Sequence, residues 1–332
     1  MAKGAYIGVD NKARKIKKMY IGVDGVARKI KKAYIGVGDV ARLCWSSGEL
    51  AYYGQATRLS TGRYRHAATS IGDYALFGGG YQTISSVEAY DKSLTHSLPT
   101  ELSKGRQALA ATSIGDYALF GGGNNGGTSN GDSTVDAYNK SLTRSTPTVL
   151  SVARERLNAT SIGDYALFGG GCGGFASTFQ SFATVDAYNK SLTRSTPTAL
   201  SVARQWLAAT SVGDYALFGG GIGNNSYQNV ATVDAYNKSL TRSTPTALSV
   251  ARGELAATSI GDYALFGGGD GADDVLYNTV DAYNKSLTRT TSVNLSGTRY
   301  ELQATSISNY ALFGGGYQSI LNKYTVDVFT IS

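Results

Sequence analysis

Six arginine residues recur at similar spacings along this chain of 332 residues. They are Arg63, Arg106, Arg154, Arg204, Arg252 and Arg299. A guanidinium group binds a carboxylate or a phosphate through two parallel hydrogen bonds, so a ring of such groups around a channel mouth could bind an anionic ligand. Alternatively, each arginine fixes a neighbouring loop or pairs with an acidic residue such as Asp186. The sixfold repetition favours the structural role, because a ligand rarely needs six equivalent groups.

Residues with the chemistry of catalysis or metal binding are few. The only histidines are His66 and His96, and Cys44 and Cys172 lack the spacing of metal ligands, so no metal site and no cofactor are predicted. Acidic residues do occur where the repeats differ, namely Glu155, Glu254, Glu301, Asp270, Asp273 and Asp274. Two carboxylates could hydrolyse a glycosidic bond, but the repeats contain no Asp-box of the sialidase kind. We therefore expect no enzymatic activity, and a glycosidase is the least favoured alternative.

The element that carries these arginines is repeated six times. Each copy contains a run similar to DYALFGGG, and the glycine triplets lie at residues 78–80, 121–123, 169–171, 219–221, 267–269 and 314–316. In the copy from 201 to 252, four short segments of β-branched, aromatic and small residues alternate with turn residues, which predicts four antiparallel strands, named a to d. The spacing of 43 to 50 residues is that of a four-stranded propeller blade.

The glycine run closing strand b, a tyrosine in strand c and an arginine before strand a resemble the kelch repeat. The tyrosine recurs as Tyr90, Tyr138, Tyr188, Tyr236 and Tyr283, with Phe329 in the last copy. That copy ends after strand c, whereas the segment before the first copy aligns with strand d, with Thr57 on Thr198. We therefore predict an all-β fold: a six-bladed kelch-like β-propeller over residues 49–332, closed by an N-terminal strand d and preceded by a β-hairpin repeat module over residues 1–48.

The first 48 residues hold a different repeat, with a period of 14 residues. Asp24-Gly25 is a strong two-residue turn signal, and it predicts a hairpin in which Val23 lies opposite Val26 and Met19 opposite Ile30. Three such hairpins cannot bury an apolar face alone, so we expect them to pack on the propeller, to self-associate or to attach to another protein. The residues expected to take part are Tyr6, Tyr20, Tyr34, Ile7, Ile21, Ile35, Val23, Val26 and Ile30.

Positive charge is concentrated in this module. Residues 1–48 carry 11 Lys and Arg against 3 Asp, whereas the rest of the chain carries 20 basic and 21 acidic side chains. The basic side chains could bind an acidic partner, or they could keep a sheet soluble and block edge pairing. A nucleic acid is not an expected partner, because no recognised binding motif accompanies the charge.

The repeats differ consistently in two places. One follows the glycine run, between strands b and c, and the other follows the repeated arginine, between strands d and a. Because strands alternate in direction, both connections emerge at one end of the propeller. Surface loops tolerate change without any role in binding, but the aromatic and polar residues of these loops are typical of a recognition surface. Besides the arginines, the predicted ligand-binding residues are Tyr64, His66, Tyr81, Arg156, Phe175, Phe179, Trp206, Tyr227, Tyr277, Tyr300 and Tyr317.

The combination of YIGVDGVARKIKK hairpins with kelch-like blades resembles proteins encoded in phages and prophages of Gram-positive bacteria. The resemblance implies a virion component of the tail, baseplate or fibre, attached through residues 1–48 to itself or to other virion proteins, that recognises a host surface glycan or protein. Two alternatives stay open: a structural capsid or tail decoration protein, and an intracellular kelch adaptor. We expect no membrane span and no secretory signal, in keeping with assembly in the host cytoplasm or with a cytoplasmic protein.

Overall fold

The computed structural model describes β-strands within residues 6–46 and the ranges 57–126, 131–174, 180–223, 228–291, 294–307, 310–318, 321–322 and 325–330. Two compact units make up the chain, residues 1–56 and residues 57–332. No helix in the described part of the chain is long and apolar enough to cross a membrane.

The first unit contains three antiparallel hairpins. They pair Tyr6–Val9 with Lys12–Lys15, Met19–Val23 with Val26–Ile30, and Lys32–Val37 with Val40–Ser46. In the second hairpin Val23 lies opposite Val26 and Met19 opposite Ile30, which confirms the register predicted from the Asp24-Gly25 turn. The third has a register irregularity between Ala33 and Tyr34.

The second unit consists of six antiparallel blades arranged as a β-propeller, as the repeats predicted. Within blades 1 to 5 the strands pair in the order a, b, c, d. Blade 1 contains Ala67–Ile71, Tyr74–Gly78, Val87–Tyr90 and His96–Ser97; blade 2 contains Ala110–Ile114, Tyr117–Gly121, Val135–Asn139 and Arg144–Ser145; blade 3 contains Asn158–Ile162, Tyr165–Gly169, Val185–Asn189 and Arg194–Ser195. Blade 4 contains Ala208–Val212, Tyr215–Gly219, Val233–Asn237 and Arg242–Ser243, and blade 5 contains Ala256–Ile260, Tyr263–Gly267, Val280–Asn284 and Arg289–Thr291.

Blade 6 has three described strands, Gln303–Ile307, Tyr310–Gly314 and Val326–Thr330. Residues 53 and 54, which align with strand d, lie outside the described residues, so the closing strand stays a prediction. Short ribbons also pair Cys172–Gly173 with Gln180–Ser181, Arg204–Gln205 with Ile222–Gly223, and Tyr317–Gln318 with Leu321–Asn322. One short 3-10 helix, Ala272–Asp274, lies in the b–c connection of blade 5.

The turn between strands c and d is built by the side chain of its first residue. In blade 4, Asn237 Oδ1 accepts hydrogen bonds from the backbone N–H groups of Ser239 and Thr241, both at 2.9 Å. Leu240 adopts a left-handed backbone, with φ 60°, and packs against the hydrophobic cluster between blades 3 and 4. This packing holds a leucine where the backbone alone would favour glycine.

The hydrophobic core of the propeller lies between successive blades. Phe218 in strand b of blade 4 lies against Gly169 of blade 3, where an added Cβ would be only 2.7 Å from the ring. Tyr236 meets Phe218 edge-on at 6.0 Å, and its hydroxyl donates a hydrogen bond of 2.7 Å to the Thr198 backbone oxygen. Five hydrophobic clusters of this kind join the six blades in sequence.

The join between blade 6 and blade 1 differs from the other five. An added Cβ at Gly170 of blade 3 would lie 2.7 Å from the Arg204 backbone oxygen of blade 4, whereas no atom of the described residues lies within 4 Å of one at the equivalent Gly315 of blade 6. Ile307 and Val326 of blade 6 are 61% and 55% exposed. Among the described residues, blade 6 therefore lacks the covering that a following blade gives to the others.

Replacing Gly170 with alanine should destabilise the propeller more than replacing Gly315, although both residues have φ +69°. A left-handed backbone costs an alanine about 1 kcal/mol at either position. Only at Gly170 must the new methyl group also displace the Arg204 backbone and the Leu207 side chain, which adds about 1–3 kcal/mol. Urea denaturation of the G170A and G315A chains measures the two free energies of unfolding, and equal losses would show that blade 6 is covered as closely as blade 3.

Candidate functional site

The repeated arginines lie inside the blades. The side chains of Arg63, Arg106, Arg154, Arg204, Arg252 and Arg299 are fully buried. In blade 4, Arg204 Nη2 donates to Asp234 Oδ2 at 2.8 Å and to the Phe218 backbone oxygen at 3.0 Å. Asp234 Oδ1 also accepts hydrogen bonds from Arg242 Nη1 at 2.9 Å and from the Ser201 N–H group at 3.0 Å. Arg204 and Asp234 together thus link strands b, c and d of the blade and the segment that enters from the preceding blade.

Blade 1 builds the same centre from different residues. Glu88 stands in place of the aspartate and accepts a hydrogen bond from Arg63. His96 stands in place of the second arginine, with its Nε2 atom 2.7 Å from Glu88 Oε2. The Ser60 N–H group donates to the same carboxylate at 2.7 Å. The buried carboxylate and its cationic partner are therefore retained even where the residue types change.

Each repeated arginine also links two blades through its backbone. The Arg204 carbonyl accepts a hydrogen bond of 2.9 Å from the N–H group of Gly171, the last glycine of the triplet in blade 3. Equivalent bonds join Gly123 to Arg154 and Gly221 to Arg252. The arginines thus take the structural role that the sequence left open, because their guanidinium groups face carboxylates inside the blades and do not form a solvent-facing ring.

The residues two positions after the arginines form a continuous chain of contacts across all six blades. This chain, named the arc, consists of Arg65, Ala108, Arg156, Trp206, Glu254 and Glu301. The backbone N–H group of each member donates to the carbonyl of the member in the preceding blade, at 2.8 to 3.1 Å, from Ala108 onward. All six have a left-handed backbone, with φ between 50° and 56°. Six non-glycine residues in this region mark a strained arrangement that the surrounding structure maintains.

Beside the arc, each blade brings its two varied connections together. The residue directly after the arginine bridges the residue directly after the glycine triplet, as Gly253 does with Asp270 and Tyr300 with Tyr317. In blade 1 the Tyr81 N–H group donates to the Tyr64 carbonyl at 2.8 Å. The arc and these paired residues are called the variable face. The two varied connections therefore share one surface, as the alternating strands predicted.

An arginine and a tryptophan form a fixed flat platform in the middle of the arc. The Arg156 guanidinium lies 5.0 Å from the centroid of the Trp206 ring. Arg156 Nη1 donates to Gln205 Oε1 at 3.1 Å, and its Nε lies 3.6 Å from Glu155 Oε1. Because Gln205 and Glu155 are themselves buried, they hold the guanidinium in place over the ring.

Two tyrosine pairs lie at the ends of the arc. The rings of Tyr64 and Tyr81 in blade 1 stack at 4.5 Å, and those of Tyr300 and Tyr317 in blade 6 lie 5.8 Å apart. Tyr64, Tyr81 and Tyr317 are between 41% and 54% exposed. Desolvation and contact with Tyr81 raise the pKa of Tyr64, and Tyr317 adds to this rise.

Three acidic residues, Glu254, Asp270 and Glu301, belong to the variable face of blades 5 and 6. Burial raises the pKa of Glu254 to about 7, with further contributions from Asp270 and Glu301, while Arg156 and Arg65 oppose the rise. Burial also raises the pKa of Asp270, whose Oδ1 atom is inaccessible and has no hydrogen-bond partner among the described residues. The variable face is therefore chemically uneven, with arginines on blades 1 and 3 and carboxylates on blades 5 and 6.

The other predicted site residues take different places. His66 is half-buried, its ring 6.1 Å from Phe77, and burial lowers its pKa. Tyr277 packs against Gly271 within the b–c connection of blade 5. The predicted ligand-binding residues Phe175, Phe179 and Tyr227 lie outside the described residues. The predicted attachment residues lie in the described hairpin strands, and their role in assembly stays a prediction.

Sequence reasoning left several members of the variable face out of the predicted site. Arg65, Ala108, Glu254 and Glu301 belong to the arc, and Asp270 directly follows a glycine triplet. The available signal was their fixed distance from the repeated arginine or triplet. Residue type gave no such signal, because no single residue type occurs at all six arc positions.

Comparison with known proteins adds no assignment to this site. No protein-family model matches the chain, and no curated protein matches it. Within the described ranges, no three His, Cys, Asp or Glu side chains are grouped so that they could hold a metal ion. The site is therefore characterised by its own geometry.

Replacing Arg204 with methionine should strongly destabilise the propeller. Asp234 would stay buried without its main cationic partner, and breaking a buried pair in this way costs about 3–5 kcal/mol. Lys238→Met is the matched control, because the Lys238–Asp214 pair is more than half exposed and such pairs contribute about 0–1 kcal/mol. Urea denaturation measures both changes, and similar values for the two variants would contradict the structural role of the arginine.

Replacing Glu254 with glutamine should stabilise the chain at alkaline pH. The pKa of Glu254 is about 7 in the folded chain against an ordinary value of 4.5. The folded state therefore binds this proton more tightly than the unfolded state does. The contribution of the protonated carboxyl group to stability is fully present below about pH 4.5, and it is lost as the pH rises through about 7. At about pH 8 the variant should be more stable by about 1–2 kcal/mol once partial exposure is allowed for.

At about pH 4 the same variant should show little change, because the carboxyl group is then protonated in both states. Asp214→Asn provides the same change of charge at an exposed turn. Thermal or urea unfolding at the two pH values measures the effect. If Glu254→Gln changed the free energy of unfolding by the same amount at both pH values, the raised pKa of Glu254 would be contradicted.

Proposed function

We propose that this chain is a non-enzymatic binding protein that recognises its ligand through the variable face of the propeller. The observation that carries the proposal is the arc, where one repeated backbone position presents Arg, Ala, Arg, Trp, Glu and Glu in successive blades. The c–d turns, by contrast, keep the sequence Asn-Lys-Ser-Leu-Thr in blades 2 to 5. Diversity within a fixed and strained framework is expected of a surface selected for recognition.

The chemistry of the face suits a glycan or a protein surface. Trp206 and the tyrosine pairs offer flat aromatic rings, and neighbouring arginines and carboxylates offer directional hydrogen bonds. Exposed aromatic side chains next to polar groups supply most of the binding energy in many recognition surfaces. The mixture of both charges favours a specific ligand over general attraction to any polyanion.

The resemblance of the whole chain to proteins of phages and prophages supports a more specific role. In this proposal the chain is a virion component of the tail, baseplate or fibre, and the variable face meets a glycan or protein on the host surface. Residues 1–48 attach it to copies of itself or to other virion proteins, which is consistent with their three hairpins and their net positive charge.

Removing the Arg–Trp platform should strongly weaken surface binding. The full-length chain carrying Arg156→Ala and Trp206→Ala is compared with the unaltered chain for binding to intact Gram-positive cells and to an array of bacterial glycans. We expect binding to weaken about tenfold or more, because a central tryptophan and arginine commonly dominate an interface.

The control carries Asp214→Ala and Lys238→Ala, an exposed ion pair between the a–b and c–d turns at the other end of blade 4. This variant should bind as the unaltered chain does. Undiminished binding after loss of the platform would contradict recognition through the variable face. Failure of the folded, unaltered chain to bind any cell or glycan would contradict the surface-recognition role.

A further inference from the structure

The Arg156 guanidinium is held on one side by two buried side chains. Its Nη1 atom donates to Gln205 Oε1 at 3.1 Å, and its Nε atom lies 3.6 Å from Glu155 Oε1. A guanidinium group has five N–H donors, and among the described residues no oxygen atom accepts a hydrogen bond from Arg156 Nη2. The Arg156 side chain is 27% exposed. It is therefore fixed in orientation but keeps hydrogen-bond donors for a ligand.

The Trp206 ring lies beside these donors. The Arg156 guanidinium is 5.0 Å from the ring centroid, and Trp206 is half-buried. An aromatic ring provides a flat apolar surface on which a sugar ring can stack. The edge of a guanidinium binds a carboxylate or a phosphate through two parallel hydrogen bonds. The platform therefore combines the two kinds of contact that an acidic sugar can make.

A second arginine lies two arc positions before Arg156. The Ala108 N–H group donates to the Arg65 carbonyl at 2.8 Å, and the Ala108 carbonyl accepts from the Arg156 N–H group at 3.0 Å. Backbone segments joined in this way lie about 5 Å apart, so the backbones of the two arginines are about 10 Å apart. Two arginine side chains can meet over that distance, and Ala108 has only a methyl group between them.

Arg65 differs from the repeated basic residues because it has no acidic partner. The buried arginines pair with carboxylates, as Arg106 does with Asp136, and the turn lysines pair with aspartates, as Lys140 does with Asp116. Arg65 is exposed and has no carboxylate oxygen within 4.0 Å among the described residues. The propeller thus pairs its repeated basic side chains internally, whereas the charge of this arc residue is available to an anion from outside.

We propose that Arg65, Arg156 and Trp206 bind an acidic saccharide, with its carboxylate or phosphate group on the arginines and its sugar ring on the tryptophan. This inference rests on the proposed function, because it names the ligand class of the variable face. Glu254 and Glu301 occupy the next two arc positions after Trp206. Their carboxylates repel an anion, so they favour one orientation of the ligand along the arc.

Matched probes separate charge from shape. Glucose 1-phosphate is compared with glucose, and a tetramer of galacturonic acid is compared with its neutral methyl ester, by calorimetry on the full-length chain. We expect at least one acidic probe to bind about tenfold or more tightly than its neutral partner, the effect of one charge-assisted contact. A preference confined to one pair of probes identifies the anion as a phosphate or as a carboxylate.

Variants without the positive charges identify the groups responsible. Arg65→Gln and Arg156→Gln should each weaken binding of the acidic probe about tenfold and should affect its neutral partner much less. Lys140→Gln removes the same charge at the opposite end of blade 2, where the Lys140 side chain is 59% exposed, and should leave binding of both probes unchanged. Because Arg65 is exposed and pairs with no carboxylate among the described residues, Arg65→Gln should keep the free energy of unfolding of the unaltered chain, as measured by urea denaturation.

Quenching of tryptophan fluorescence gives an independent readout. Trp45 and Trp206 are the only tryptophans of the chain, so Trp45→Phe leaves Trp206 as the reporter. At constant ionic strength, iodide should quench Trp206 about twofold less when Arg65→Gln or Arg156→Gln is added, because the arginines attract anions to the ring. Quenching by neutral acrylamide reports the exposure of the ring and should change little. A purely structural role of the arginines would leave the ratio of iodide to acrylamide quenching unchanged.

The outcomes distinguish this inference from the proposed function. Equal binding of the acidic and neutral probes in both pairs, or no binding of any probe, would overturn the acidic-saccharide site. Tighter binding of an acidic probe that neither arginine variant weakens would also overturn it. If loss of the Arg–Trp platform still weakened binding to cells or glycans, the recognition role would stand without the site. Binding of an acidic probe that responds to Arg65→Gln, in a chain that binds no surface, would support the site and contradict the recognition role.

Discussion

The buried ion pair between the repeated arginine and an acidic residue of strand c is the interaction on which the rest of the propeller depends. Arg204 binds Asp234 and the Phe218 backbone within blade 4, and its own carbonyl accepts a hydrogen bond from Gly171 of blade 3. One residue therefore aligns two blades. Each arc residue lies two residues after such an arginine, whose charge pair is fully buried in blades 1 to 5. This arrangement allows the surface residues to vary while the framework stays constant.

The variable face retains features that reduce stability. All six arc residues have a left-handed backbone, and burial together with Asp270 and Glu301 raises the pKa of Glu254 to about 7. Elsewhere the propeller satisfies such groups, as in the double arginine contact of Asp234. Local strain and uncompensated charge in one region of an otherwise regular fold commonly accompany a binding function.

Much of the fold could be predicted from the sequence because the repeat places its signals at fixed positions. The glycine triplets gave the number of blades, and Asp24-Gly25 gave the register of the second hairpin. The role of the arginines could be narrowed to two possibilities but not decided, since a guanidinium suits a buried aspartate and an anionic ligand equally well. Asp186, the acid named for one of these possibilities, does pair with Arg154 at 2.8 Å. The arc could not be predicted, because its members share no residue type and are joined only by backbone hydrogen bonds.

The sequence by itself determined the strands, their order within each blade and the two connections that vary. Those features follow from local patterns of apolar residues, turns and glycines, which act over a few residues. Only the tertiary structure decided which varied residues come together, since Glu301 of blade 6 hydrogen-bonds to the Glu254 carbonyl of blade 5. It also decided that the arginines are buried and that, among the described residues, blade 6 is less covered than its neighbours. These features depend on packing between residues far apart in the chain, for which a repeat period carries no information.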